Sequence, residues 1–208
     1  MIKRTKGRVL ITLLVVTGLA GTMNDNAITQ KERKFAVTEL KESRTTLLKE
    51  IEKLSGKELN YRSSESQHSV KNYLIQMAVT EKKLWATVAQ AMEQPANPEK
   101  RKEIKLTDET LMKLAEEGAI STLNLNTFKQ ANTPINSAEE AVTSFKEVRN
   151  DHIKYMKTST EDLRNHVVLT PAGWLDCYQF ILLISASTDH CTKMIQGLKD
   201  EKDFPAKK

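Results

Sequence analysis

The chain has 208 residues, 28% of them charged, with only 7 Gly and 5 Pro and a formal net charge of +5. That length suits one domain with a full core, and the scarcity of turn residues argues against a sandwich or barrel. Lys3, Arg4, Lys6 and Arg8 carry most of the excess; without them the charge falls from +5 to about +1, too little for a nucleic-acid footprint.

Those four basic residues open a leader. The 12-residue apolar run Val9–Ala20 follows, with Gly18 and Ala20 as small residues ahead of a cleavage point before Gly21. Spanning a bilayer takes about 20 apolar residues. Residues 1–22 therefore read as a secretory signal peptide. Residues 23–208 read as the mature domain, periplasmic or secreted and free of the membrane after cleavage. A short uncleaved anchor is the alternative. No Cys follows the apolar run, which argues against a lipoprotein.

Thr29 and Glu32 make a capping box for a first helix. Val37, Leu40, Leu47, Ile51 and Leu54 form its stripe to about Ser55, and Gly56 is a candidate stop. The serine-rich stretch at 61–67 is a loop. Ser66 or Ser69 caps a second helix running to about Met92, with Val70, Leu74, Met77, Leu84 and Val88 at three- and four-residue spacing. Glu81 falls on that apolar face, where a carboxylate is costly unless paired. Either it pairs with an Arg or Tyr from another helix, or it joins Gln76 in a polar patch.

Pro95 and Pro98 open a long connection over 93–136, with a short helix from Asp108 to Glu117. Such a connection joins bundle helices that are not simple antiparallel neighbours. Ser137 and Glu140 start a third long helix carrying Ala141, Phe145, Val148, His152 and Met156 on one face, to about Thr160. Thr170 is the expected cap of the fourth, with Pro171 at its first position. Four amphipathic helices and no convincing strand predict an all-α four-helix bundle with a long connection between helices two and three.

Cys177 and Cys191 stand 14 residues apart on the fourth helix, about 21 Å at 1.5 Å per residue. A disulfide needs Cα atoms about 5.5 Å apart, so the two should not bond to each other.

Several segments carry a family resemblance. GWLDCYQFILLISASTDHCTKMIQGLKDEKDFP, at 173–205, is similar to the last helix and tail of the DinB-like (YfiT-like) four-helix bundles. KESRTTLLKEIEKLSGKEL resembles the family's opening helix and its exit. SVKNYLIQMAVTEKKLW resembles its second helix, with Glu81 at the family's glutamate position. FKQANTPINSAEEAVTSFKEVR and then LRNH at 163–166 are similar to the entry and exit of the third.

The resemblance implies a divalent metal held by three histidines, one from helix two and two from helix four at i and i+4. It also implies thiol-dependent transferase or isomerase chemistry in many relatives. Position by position, the triad here is Gln76, Ser187 and Cys191. Only Cys is a strong ligand for zinc or nickel; Gln and Ser suit harder cations. The expectation is no cofactor, with weakly bound zinc or nickel as the alternative.

Other residues complete the candidate pocket. Cys191 is a ligand or nucleophile on one reading and a buried thiol on the other. His190 lies one residue off the expected face, by about 100°. His152 sits on the apolar stripe of helix three, as a pocket residue or a satisfied core histidine. No phosphate-binding glycine loop and no zinc-protease histidine pair is present. The sequence thus predicts a bundle protein that binds a small ligand or partner without catalysis. The alternative is a metal-dependent hydrolase or thiol transferase with an altered site. A homodimer is a further expectation, from the wide apolar run Phe180–Ile184.

Overall fold

The computed structural model describes residues 28–63, 68–118 and 134–205. The signal-peptide reading at 1–22 and the candidate cap Ser66 lie outside them. Four long helices dominate: α1 (Gln30–Ile51), α3 (Val70–Met92), α6 (Ala138–Thr158) and α7 (Cys177–Lys199). Between them come the short α2 (Gly56–Leu59), α4 (Pro98–Arg101), α5 (Asp108–Glu116) and a two-stranded antiparallel sheet, β1 (Val167–Thr170) with β2 (Gly173–Asp176). Among the described residues no helix is long and apolar enough to cross a membrane.

The caps decide where the helices start. Thr29 and Glu32 form the reciprocal box at α1, and Ser69 does the same for α3 with Asn72 as its partner. At α6 the Ser137 hydroxyl accepts from the Glu140 amide, while the Glu140 carboxylate reaches back one residue further, to the Asn136 amide. α1 stops at Ile51, short of Ser55. Ser55 instead caps α2, with Glu58 completing the box, so Gly56 is the first residue of a helix rather than a stop.

The start of the last helix also differs from the sequence expectation. Thr170 and Pro171 form the turn of a hairpin: the Thr170 hydroxyl donates to the Gly173 carbonyl and accepts from the Ala172 amide. Gly173 has φ 108°, a backbone region that favours glycine. β-branched Val167 and Val168 suit the strand. α7 begins at Cys177, with Asp176 and Gln179 as its capping box.

Hydrogen bonds between helices set their directions. The N-terminal end of α1 meets the N-terminal end of α7, where the Tyr178 hydroxyl donates to the Glu32 carbonyl. Their C-terminal ends meet where Lys199 binds Glu50. α1 and α7 are therefore parallel. α6 runs against α1, with the Arg33 guanidinium on the Met156 carbonyl. α3 runs against α7, since Cys191 reaches the Tyr73 carbonyl and Cys177 that of Val88. α3 and α6 are consequently parallel neighbours, which is why a long crossover must join them.

α7 is the central helix. It packs on α1, α3 and α5, and every residue from Cys177 to Ala186 is buried. The Phe180–Ile184 run is wide because three helices of the same chain cover it. The run from which a homodimer is expected is thus buried within the chain itself.

Candidate functional site

Among the described residues the largest buried polar group is Arg149, fully inaccessible on α6. An uncompensated guanidinium there would be very costly. Its Nε and Nη2 donate to the two Glu81 carboxylate oxygens, at 2.7 and 3.1 Å. Nη1 donates to the Leu40 carbonyl at 3.0 Å and the Ser43 hydroxyl at 2.8 Å. Nη2 also reaches the Thr188 hydroxyl at 2.7 Å and the Ile184 carbonyl at 3.3 Å. One side chain thereby ties α6 to α1, α3 and α7. Burial pushes the Glu81 carboxyl up, but Arg149 and His152 more than offset it and hold it below the usual carboxylate range.

His152 completes the cluster, one turn along α6. Its Nδ1 lies 3.0 Å from Glu81 Oε1, and its ring stacks on Trp85, centroid to centroid 4.2 Å. Trp85 in turn meets Tyr155 edge-on. A carboxylate accepts only, so Nδ1 is the protonated nitrogen. His152 Nε2 is buried with no hydrogen-bond partner. The carboxylate–imidazole pair has the order of a general-base dyad. The ring, however, is 1% exposed and no substrate reaches it in this conformation.

Glu81 and His152 are therefore brought together, whereas Ser187, Cys191 and His190 make their hydrogen bonds to other groups. The Ser187 hydroxyl donates to the Leu183 carbonyl, one turn back on the same helix. The Cys191 thiol faces the Tyr73 carbonyl. Gln76 is half-buried. His190 lies on the α5 side of α7, with Nδ1 donating to the Glu116 carbonyl beneath Gly118. His166 spans a loop, its ring nitrogens 2.7 and 3.0 Å from the Asp162 and Gln94 carbonyls. His68 packs its ring on Tyr73.

The family's metal can be tested against these groups. No cluster of three or more His, Cys, Asp or Glu able to hold an ion occurs among the described residues. Two of the three matched side chains are turned to carbonyls. Burial pushes the Cys191 thiol up to about 12, and burial with Asp176 and Glu161 nearby does the same to Cys177. A thiol must ionise to ligate or attack. The described residues do not fit a transition metal. Both cysteines are free.

Open space lies elsewhere. A groove of about 840 Å³ runs between α1 and α6, within the range of about 300–1,000 Å³ usual for small-molecule sites. Leu48, Ile51, Leu59, Leu74, Ala138 and Val142 supply its apolar lining. Arg44 and Asn150 stand at one end, where the Arg44 guanidinium donates to the Asn150 side chain. Glu52 and Glu139 stand at the other. Gln76, Ser187 and Cys191 do not line it. Two smaller hollows flank the exposed Phe35 between α1 and α5.

A second ionic node closes the far end of the helices. Arg164 binds Glu32, Asp108 and Asp176 at 2.6, 2.6 and 2.9 Å and lies over the Tyr178 ring. It ties the N-terminal turns of α1, α5 and α7 together.

Sequence reasoning placed Glu81 and His152 on apolar faces but missed Arg149. The signal was present: Phe145, Arg149, His152 and Met156 recur at four-, three- and four-residue steps. Val148, placed on that stripe instead, is only half-buried. The groove had no sequence signal beyond stripe residues left half-covered.

No protein-family model, no curated protein and no solved structure matches the chain.

Proposed function

We propose that the protein is an exported four-helix bundle of the DinB-like type that no longer uses the family's metal triad and binds a small ligand without catalysis. The α1–α6 groove is the binding site. The observation that carries this reading is its volume of about 840 Å³ beside a sealed polar centre. The groove offers apolar area and polar ends, whereas the groups with chemical potential, Glu81, His152 and the two thiols, are buried and engaged. The order of the four long helices, the crossover before α6 and the segments similar to the family support the bundle assignment. The raised thiols weigh against a thiol transferase.

The test uses Nile red, a neutral apolar dye, with the full chain and with Val142→Trp, which fills the groove. Saturable 1:1 binding that weakens at least tenfold in the variant is expected. Equal binding by both would reject the groove. Stoichiometric zinc or nickel surviving dialysis would reject the loss of the metal site.

A further inference from the structure

The groove is electrically graded along its length. α1 and α6 are antiparallel, so positions pair across it in reverse order. Arg44 on α1 faces Asn150 on α6; Lys146 follows one turn along. Lys49 is a third cation on the lining, and beyond it, at the opposite end, Glu52 stands with Glu139. From Asn150 to Glu139 is 11 residues of helix, about 17 Å at 1.5 Å per residue. The apolar floor, with Leu48, Ile51, Leu59 and Val142, lies between the two ends.

Neither Arg44 nor Lys146 is neutralised by an ion pair among the described residues. The ion pairs among the described residues employ Arg149, Arg164, Lys100, Lys102, Lys193, Lys199 and His152, and none employs Arg44 or Lys146. Arg44 is nevertheless oriented, because one of its terminal nitrogens is fixed on Asn150. That leaves other guanidinium N–H groups for a planar anion, the geometry in which arginine binds carboxylates best.

Resting on the groove being the binding site, we infer that its ligand is a free single-chain amphiphile with an anionic head, bound head-first at Arg44 and Lys146. Its tail lies on Leu48, Val142, Ile51 and Leu59. Glu52 and Glu139 repel an anion from the other end, partly offset by Lys49 one turn from Glu52, so the head favours Arg44 and Lys146. A cationic head with the same tail meets the reverse field and loses the arginine fork.

Calorimetric titration of the full chain with dodecanoate, below its micelle threshold, tests this beside dodecyltrimethylammonium. Dodecanoate is expected to bind 1:1, at least tenfold more tightly than the cation. Arg44→Gln with Lys146→Gln should remove that preference. Thr45→Trp, at an exposed groove position, serves as a second plug should Val142→Trp misfold; either must abolish dodecanoate binding. Equal affinity for the two heads, with both blocked by the plugs, overturns the head assignment and leaves the groove standing. No binding of either, or binding that the plugs do not change, overturns both. Co-sedimentation with phosphatidylglycerol vesicles without soluble dodecanoate binding overturns the free-ligand assignment.

Discussion

Two arginines organise this molecule, and they do so in opposite surroundings. Arg149 is wholly buried and faces one carboxylate, Glu81, with neutral oxygens from Leu40, Ser43, Ile184 and Thr188 filling its remaining donors. Arg164 has 11% of its side chain exposed and faces three carboxylates, of which Glu32 and Asp108 are 26% and 33% exposed. The centre can hold one balanced pair because each further charge would need its own partner there. The rim can hold an excess of acid because water and three helix N-terminal turns share it. At both nodes the guanidinium donors are committed to structural partners.

The contrast breaks most visibly at the centre. Arg149→Met should leave Glu81 buried and unpaired and cost about 3–5 kcal/mol, read as a lower urea midpoint. Adding Glu81→Met should recover much of that loss, because an apolar pair of similar volume is often tolerated. Arg164→Met should cost less, about 2 kcal/mol. Salt should blunt the Arg164 effect and spare that of Arg149, since screening acts on solvent-reached pairs. Salt-insensitive loss at both sites would erase the distinction.

Acid probes both nodes together. Glu81 is held below the usual carboxylate range by Arg149 and His152 against burial; Glu32 is held low by Thr29 and Arg164, also against burial. A lowered carboxyl contributes stability above its unfolded value, about 4.3, and loses it as pH falls through the folded value. Urea midpoints should therefore drop below about pH 4, and less steeply in Arg164→Met than in the parent chain.

Gly118 sharpens the account of α5. It ends that helix with φ 88°, and a Cβ there would stand 2.8 Å from the His190 ring. Gly118→Ala should cost about 1–3 kcal/mol, visible as a lower melting temperature.

The smallest effect is at Asp189, which burial and the nearby Glu116 and Glu39 raise to about 6. A raised carboxyl favours the fold below its unfolded value, and that contribution is lost as pH rises through about 6. Asp189→Asn should raise the urea midpoint at pH 7.5 and change it little at pH 4.

Much of the frame was legible in the chain. Thr29, Ser69 and Ser137 marked three helix starts because capping chemistry is local. The 93–136 connection foretold a crossover because parallel neighbours require one. The hairpin at 167–176 escaped because Thr170–Pro171 suits a helix start as well as a turn, and the Asp176–Gln179 box that decides between them lies six residues on. Gly56 misled for the same reason: a glycine after an apolar stripe reads as a stop, whereas Ser55 and Glu58 begin a new helix. Arg149 escaped because an arginine on a helix is usually solvated, and only the partners on three other helices make its burial tolerable. The groove depends on how closely α1 and α6 approach, which no single stripe specifies.

A sealed polar centre lies apart from an open groove, and backbone amide shifts under dodecanoate titration test that separation most directly. Shifts concentrated in residues 44–52 and 138–150, with Gln76, Glu81, Ser187 and Cys191 unmoved, are predicted. Shifts centred on Gln76, Ser187 and Cys191 would contradict it.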